Sequence, residues 1–270
     1  MKTNFKIVIA IVSCLIFFSY YSKSEDKTIV EMTTNYGTMV IELYNETPLH
    51  RDNFITLIND KAYDSLLFHR VIENFMIQGG DPDSKNAKAG DMLGEGDLEY
   101  SVEAEFRPDL FHKKGALSTA REESLGRVSS AMQFFIVQGK IYNDSLLEIS
   151  DSRINKMLAR HHVINKDSML FNGYINAYEN DKMKLAKKLS DSIENLAESF
   201  SDFEKYTIPQ SHREVYKTIG GTPHLDQNYT VFGQVIEGLN VIDSIAKVKT
   251  DGMNRPIKNV RILSVRLKNN

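Results

Sequence analysis

Short runs of β-branched and apolar residues, separated by turn residues, recur along much of the chain and predict a mainly β protein. Residues 28–32 and 38–44 flank Asn35-Tyr36-Gly37 and predict a β-hairpin. Further strand-like runs cover residues 68–77, 115–119, 133–137, 230–235 and 260–267. Two helices are predicted among the strands. One begins with Thr47 as N-cap and Pro48 at the first helical position, and the other covers residues 240–246.

Residues 142–219 break this strand pattern. Leu, Ile, Met and Phe recur there three and four positions apart among Lys, Asp, Glu, Ser and Asn, which predicts two or three amphipathic helices. A helical block within a chain of short strands indicates an insertion between two strands of one sheet domain. We therefore predict one domain made of residues 28–141 and 220–267, with an inserted α-helical subdomain at residues 142–219.

The first 24 residues have the layout of an export signal. Lys2 and Lys6 precede an apolar run at residues 7–18, and small and polar residues follow. This run is shorter than the roughly 20 apolar residues that span a bilayer. We predict a signal peptide at residues 1–24 and a periplasmic or envelope-associated protein. A lipid at Cys14 and an uncleaved anchor are the alternatives, and we expect membrane contact only through this segment.

Composition excludes several classes of protein. The 270 residues are 41% hydrophobic and 26% charged, as in folded globular proteins. A formal net charge of −3 provides no electrostatic footprint for nucleic acid. Cys14 is the only cysteine, so no disulfide framework is expected. His161 and His162 are adjacent, so on a helix they do not face one way, and we predict no metal site.

Two neighbouring motifs carry the candidate chemistry: Phe68-His69-Arg70-Val71-Ile72 and Phe75-Met76-Ile77-Gln78-Gly79-Gly80-Asp81. Together they closely resemble the signature of the cyclophilin-type peptidyl-prolyl cis/trans isomerases. Residues 115–121, 133–136 and 229–238 resemble further segments of that family in the same order. Several long motifs in order are far more specific than one short match. The helical block lies outside the resemblance.

The resemblance implies a fold and a reaction. The fold is a closed eight-stranded antiparallel barrel capped by two helices. The reaction is rotation about the peptide bond before proline, whose barrier is about 18–20 kcal/mol because the amide C–N bond is partly double. No bond breaks, so we expect no nucleophile, metal or cofactor. The enzyme must favour the twisted amide over both planar forms.

The resemblance also implies roles for individual residues. Arg70 would donate a hydrogen bond to the proline nitrogen, which regains a lone pair in the twisted state, because a guanidinium stays charged and presents a rigid fork of donors. Gln78 would orient Arg70 and the substrate carbonyl. The remaining substrate-binding candidates are Phe75, Met76, Phe135 and Leu225 around the proline ring, His69 and Gln133 as polar contacts, Ala120 and Arg121 beside the peptide backbone, and His224 and Tyr229 at the rim. For His69, a purely structural role is the competing interpretation.

The chain departs from its relatives at the rim of the expected pocket. His224 stands where many relatives carry Trp, and the chain contains no Trp, so binding of cyclosporin is not expected. Tyr229 stands where a His is common, and Arg121 and Met132 replace smaller residues. These changes predict an altered peptide preference.

Two functions are consistent with the sequence. The first is an isomerase, monomeric, that acts on proline-containing segments of exported proteins. The second is a chaperone or scaffold that binds such segments with little turnover. Retention of Arg70 and Gln78 favours the first. The helical block is either a solvated decoration or a module for client binding. Exposure of Leu185, Leu189 and Ile193 would favour client binding, and packing of these residues on the barrel would favour decoration.

Overall fold

Eight antiparallel strands form one curled sheet in the computed structural model, which describes residues 27–268. The strands of the chain are β1 (Thr28–Thr34), β2 (Gly37–Leu43), β3 (Phe68–Ile72), β4 (Met76–Gly79), β5 (Ser101–Val102), β6 (Ala116–Thr119), β7 (Ser129–Ser130), β8 (Phe134–Val137), β9 (Val231–Glu237) and β10 (Ile262–Leu267). The α-helices are α1 (Pro48–Asn59), α2 (Asp144–Lys166), α3 (Ser168–Glu179), α4 (Met183–Ser199), α5 (Gln210–Thr218) and α6 (Leu239–Ala246). The predicted signal peptide and Cys14 lie outside the described residues.

The large sheet has the order β10-β1-β2-β9-β6-β8-β4-β3, and β5 pairs with β7 separately. The prediction of a closed barrel is wrong, because the edge strands β10 and β3 do not pair as strands. The two edges meet at one bridge, between Leu67 and Arg261, which is flanked by backbone hydrogen bonds from Ser65 to Ile262, from Phe68 to Val260 and from Ile262 to Leu66 at 2.8–2.9 Å. This contact begins at Ser65, which has a φ of 72°, and is confined to residues 65–68 on one side and 260–262 on the other. The fold is therefore an open, curled sheet.

Helices α1 and α6 pack against the sheet, and together they form the main core. Phe54 of α1 lies edge-on to two sheet aromatics, with ring centroids 5.9 Å from Phe134 and 5.3 Å from Phe232. Ile242 and Ile245 of α6 are fully buried in the same cluster. Edge-to-face pairs of this kind add to the stabilisation that comes from area burial. Both helices predicted among the strands are thus present and pack on the sheet.

The N-terminus of α1 differs from its prediction in one respect. Thr47 is the N-cap residue, but its side chain makes no capping hydrogen bond, and its φ and ψ of −126° and 64° lie outside the extended region usual for a cap. The carboxylate of Glu105 accepts instead from the backbone N–H groups of Leu49 (3.2 Å) and His50 (3.0 Å). A residue distant in sequence therefore caps the helix.

The run at residues 68–77, predicted as one strand, forms the hairpin of β3 and β4. Asn74 takes a φ of 62°, and the N–H of Phe75 donates to the carbonyl of Ile72 at 3.1 Å, which closes the turn. Asn tolerates the left-handed region better than most residues. The turn matters for function because it places the two halves of the motif side by side.

Residues 142–219 contain four helices, α2 to α5, where two or three were predicted. The additional break falls at Asp167, whose side chain caps α3 by accepting from the N–H of Leu170 at 3.0 Å. We call α2–α5, residues 144–218, the helical segment. Ile193 of α4 is fully buried in a cluster within this segment, whereas Leu185 is 45% exposed. Between residues 27 and 268, no helix is both long and apolar enough to cross a membrane.

The two ends of the helical segment meet at the sheet domain. Lys140 and Gly221 exchange backbone hydrogen bonds of 3.2 and 3.0 Å. Gly221 is required here, because a Cβ at this position would lie 2.3 Å from the carbonyl oxygen of His112. The chain therefore leaves the sheet and returns to it at one point. The domain limits at residues 141/142 and 219/220 stay predictions.

Candidate active site

A small apolar pocket lies between the β3–β4 hairpin, β8 and residues 225–229. It has a volume of about 140 Å³. Its lining residues are Arg70, Phe75, Met76, Gln78, Ala120, Arg121, Phe135, Leu225 and Tyr229. We call it the proline pocket. Nine of the twelve predicted site residues thus meet in one place, and Gln133, His69 and His224 lie next to it.

Arg70 and Gln78 are cross-strand partners at the rim of the proline pocket. The Nη1 of Arg70 donates to the Oε1 of Gln78 at 3.1 Å, and the Nε2 of Gln78 donates to the Oε1 of Gln133 at 3.0 Å. Gln133 in turn donates to the carbonyls of Gly94 and Gly96, each at 2.8 Å. Because each side chain in this relay has a fixed neighbour, the guanidinium is held in one orientation.

Gly80, the second glycine of the motif, occupies a position that only glycine can take. Its φ is +96°, and a Cβ on it would lie 2.2 Å from the carbonyl oxygen of Met132. Only glycine allows this approach, which brings the end of β4 against the residues that lead into β8. Gln78 and Gln133 come within hydrogen-bond distance as a result.

The rim of the proline pocket is built from stacked rings. The rings of His224 and Phe75 are 5.6 Å apart and inclined by 25°. The guanidinium of Arg121 lies over the ring of Tyr229 at 4.8 Å, and its Nε donates to the carbonyl of Asn228 at 2.7 Å. Burial lowers the pKa of His224 to about 4. At neutral pH the imidazole of His224 is therefore an uncharged aromatic surface.

His69 faces away from the proline pocket into a neighbouring cavity of about 440 Å³ that Arg70 and Gln78 also line. It is 3% exposed, and neither of its ring nitrogens has a hydrogen-bond partner among residues 27–268. Burial lowers its pKa to about 4. Because His69 is buried and faces away from the proline pocket, a structural role fits it better than direct contact with a peptide.

A second cavity of about 380 Å³ continues from the proline pocket past Ala120 and Arg121. Gln78 and Gln133 also line it. Its carboxylates were missed by sequence reasoning; they are Glu95, Asp97, Glu122 and Glu123. They lie in loops that carry no period and no motif, so no signal marked them. Because Gln78, Ala120 and Arg121 line both, the proline pocket and this second cavity form one continuous groove.

A buried polar network lies behind the proline pocket and was also missed. Asp226, fully buried, accepts from the backbone N–H of His112 at 3.0 Å and lies 2.9 Å from the Nδ1 of its ring. The ring of His112 stacks on that of Phe135, with centroids 6.0 Å apart and planes inclined by 12°. Phe135, on the floor of the pocket, therefore rests on a hydrogen-bonded support.

The model of the family described as "Cyclophilin type peptidyl-prolyl cis-trans isomerase/CLD" matches residues 29–165 and 209–267, more than half of the chain. The chain belongs to this cyclophilin family. Membership confirms the resemblance inferred from the two motifs and identifies the chain as a peptidyl-prolyl cis-trans isomerase. Residues 166–208, which include α3 and α4, lie outside the match.

Relatives of this cyclophilin carry the same activity in their names. A peptidyl-prolyl cis-trans isomerase of Staphylococcus haemolyticus is 32% identical over 237 residues, which are 87% of this chain and 89% of that protein. A bifunctional phosphatase/peptidyl-prolyl cis-trans isomerase of Streptococcus pyogenes is 30% identical over 87% of this chain and 38% of its own length. A crystal structure of a cyclophilin-type isomerase from Cryptosporidium parvum aligns with a TM-score of 0.52 at 19% identity, over 91% of this chain and 99% of that one. The last comparison supports the cyclophilin fold alone.

Proposed function

We propose that this cyclophilin accelerates cis/trans exchange in proline-containing segments of exported proteins, and that Arg70 stabilises the twisted amide. One observation carries the proposal: the guanidinium of Arg70 is held by Gln78 at the rim of an apolar pocket. The pocket offers Phe75, Met76, Phe135 and Leu225 to the proline ring. A charged donor beside an apolar ring site is the arrangement that the reaction needs.

The proposed mechanism uses no covalent step. Partial double-bond character holds the X–Pro amide planar, and rotation pyramidalises the proline nitrogen so that it regains its lone pair. Arg70 then donates to that nitrogen. The guanidinium has five N–H donors, and its bond to Gln78 occupies one. Since the planar amide offers no such acceptor at nitrogen, this bond strengthens only in the twisted state and lowers the barrier.

The deciding experiment measures cis/trans exchange in a short proline peptide by NMR exchange spectroscopy, with wild type, Arg70→Ala and Arg266→Ala. Arg266 is the matched control, because it pairs with Asp64 at 2.7 Å and lines none of the three cavities described above. Loss of one preorganised donor to a transition state costs about 100-fold in rate. We expect a loss of that order for Arg70→Ala and none for Arg266→Ala.

Equal rates for wild type and Arg70→Ala would refute the proposed role of Arg70. Wild type that binds the peptide without accelerating exchange would favour the chaperone or scaffold.

The class of substrate is proposed from the N-terminal pattern of Lys2, Lys6 and the apolar run at residues 7–18. Proteins of the same compartment would then be the clients. The mass of the mature N-terminus tests this part separately. Loss of about 24 residues supports export, a lipid on Cys14 supports envelope attachment, and an unmodified Met1 in the cytoplasmic fraction would refute it.

A further inference from the structure

The helical segment reaches the groove at two points, one on each side. Residues 120–128, between β6 and β7, form what we call the outer wall. Residues 222–229, which precede β9, form the inner wall. Helix α2 contacts the outer wall through Arg160 and also packs against residues 223–225 of the inner wall. Helix α5 contacts the inner wall through Tyr216.

The contact with the outer wall is a bidentate salt bridge. The Nε of Arg160 on α2 lies 2.6 Å from the Oε1 of Glu123, and its Nη2 lies 2.9 Å from Oε2. Glu194 of α4 accepts from the Nη1 of the same guanidinium at 3.3 Å. The hydrogen bonds that Arg160 donates to the Glu123 carboxylate raise the pKa of Arg160. The side chains of Arg160 and Glu123 are only 18% and 33% exposed, so solvent screens this pair less than a surface pair.

The outer wall has little regular structure of its own. Inside it, the N–H of Arg127 donates to the carbonyl of Ser124 at 3.2 Å, and the guanidinium of Arg127 donates to the carbonyl of Gln227 on the inner wall at 2.8 Å. Ala120 and Arg121, which line both the proline pocket and the second cavity, belong to this wall. The backbone of Ala120 is fixed by hydrogen bonds of 2.9 Å with Gln133 and with Ser130. The tie from Glu123 to Arg160 therefore restrains mainly where Arg121 lies.

The contact with the inner wall is a buried hydrogen bond. The hydroxyl of Tyr216 on α5 donates to the carboxyl group of Asp226, with its oxygen 2.9 and 2.8 Å from the two carboxyl oxygens. Tyr216 and Asp226 are both fully buried. Asp226 also holds His112, whose ring supports Phe135. Helix α5 is thus connected to the floor of the proline pocket through two side chains.

We propose that the helical segment is a positioning element that sets the width of the groove, with Arg160 holding the outer wall and Tyr216 holding the inner wall. The inference rests on the proposed function of the groove as the site of X–Pro binding. A peptide that binds between two prearranged walls loses less free energy to ordering them. Loosening either wall should therefore weaken peptide binding, while Arg70 and Gln78 keep the geometry of the chemical step.

The first test is Arg160→Gln against Arg266→Gln. The control removes another salt bridge made through two hydrogen bonds, that of Arg266 with Asp64 at 2.8 and 2.7 Å, which is more exposed and lies away from the groove. For Arg160→Gln we expect KM for the proline peptide, and its Kd by NMR titration, to rise about fivefold, with kcat unchanged within about twofold. Arg266→Gln should leave all three unchanged.

A double-mutant cycle shows whether Arg160 acts through Glu123. If it does, Arg160→Gln adds little to the Kd once Glu123 is already Gln, so the two effects are not additive. Independent, additive effects would overturn the proposed path through Glu123, even if each variant alone binds more weakly.

The second test is Tyr216→Phe against Tyr206→Phe. Both tyrosines belong to the same apolar cluster, but the hydroxyl of Tyr206 has no hydrogen-bond partner in the described part of the chain. We expect a severalfold rise in Kd for Tyr216→Phe alone. Far-UV circular dichroism confirms that each variant is folded at the temperature of the titration.

The outcomes separate the two proposals. Wild type without acceleration of exchange refutes the proposed function, whatever the variants do. Wild type that accelerates exchange, with Arg160→Gln and Tyr216→Phe identical to their controls in Kd and KM, overturns the positioning role and leaves the proposed function intact. A fall in kcat at unchanged KM would also overturn it, since the walls would then act on the chemical step.

Discussion

Substitution of Glu105 tests the unexpected cap of α1. Glu105→Ala removes the acceptor of the N–H groups of Leu49 and His50, and also the partner of the His50 ring, whose Nδ1 lies 2.6 Å from the carboxylate. The first turn of α1 contains no acidic residue that could replace it. The His50 side chain is 1% exposed, so water does not reach it easily.

Two terms determine the expected cost. Loss of an N-cap acceptor costs about 1 kcal/mol, and a buried polar group left without a partner costs about 1–3 kcal/mol. We therefore expect Glu105→Ala to lower the free energy of unfolding by about 2–4 kcal/mol. Thr47→Val removes a hydroxyl that has no partner between residues 27 and 268, and should change the free energy of unfolding by less than about 0.5 kcal/mol.

Urea unfolding followed by far-UV circular dichroism measures both variants. Glu105→Gln serves as an intermediate, because it keeps one acceptor oxygen and loses the charge that favours a helix N-terminus. The expected order of stability is Thr47→Val, then Glu105→Gln, then Glu105→Ala. A Thr47→Val variant as destabilised as Glu105→Ala would refute the reasoning, since the local threonine would then be the effective cap.

Three further predictions concern stability. Burial lowers the pKa of His69 to about 4 from its usual 6.5, so the unfolded chain takes up this proton first as the pH falls. Between about pH 7 and pH 5, the free energy of unfolding should fall by about 2 kcal/mol more for wild type than for His69→Asn. Urea midpoints that change in parallel for the two proteins would contradict this. Gly80→Ala places a Cβ 2.2 Å from the Met132 carbonyl oxygen at a φ of +96°. It should lower the free energy of unfolding in urea by at least about 2 kcal/mol, and by more than Gly79→Ala does. The reverse order would show that the backbone next to Gly80 moves to make room. Ile193→Ala leaves a cavity among α2, α3 and α4 and should lower the free energy of unfolding by about 2–5 kcal/mol in the same assay. A decrease below about 1 kcal/mol would mean that the three helices move together and fill the cavity.

Sequence reasoning was most successful where a residue's neighbours are close in the chain. The β-branched and apolar runs on either side of Asn35-Tyr36-Gly37 predict β1 and β2, because a turn joins the two strands directly. Pro48 predicts the start of α1, because its fixed φ suits the first helical position. Arg70 and Gln78 are eight positions apart and meet across a hairpin, so the motif that contains them also contains their contact.

The remaining features depend on contacts between distant parts of the chain. Glu105 caps a helix 55 positions away and Tyr216 reaches Asp226 from a separate helix, and neither contact follows from a local pattern. A closed barrel was predicted because the fold was taken from the resemblance to the family, whereas the two edges of the sheet meet only at residues 65–68 and 260–262, over too short a length to pair as strands. His69 belongs to the motif, yet its side chain faces away from the proline pocket, since neighbouring side chains on a strand point to opposite faces.

The pairing of Lys140 with Gly221 has a consequence for evolution and engineering. A segment whose two ends are joined by backbone hydrogen bonds acts on the rest of the chain as a closed loop of variable length. Such a loop can change in length or sequence without disturbing the register of β6, β8 and β9. Under the proposed positioning role, peptide selection would be encoded in the helical segment, while the rotation chemistry is encoded in the sheet.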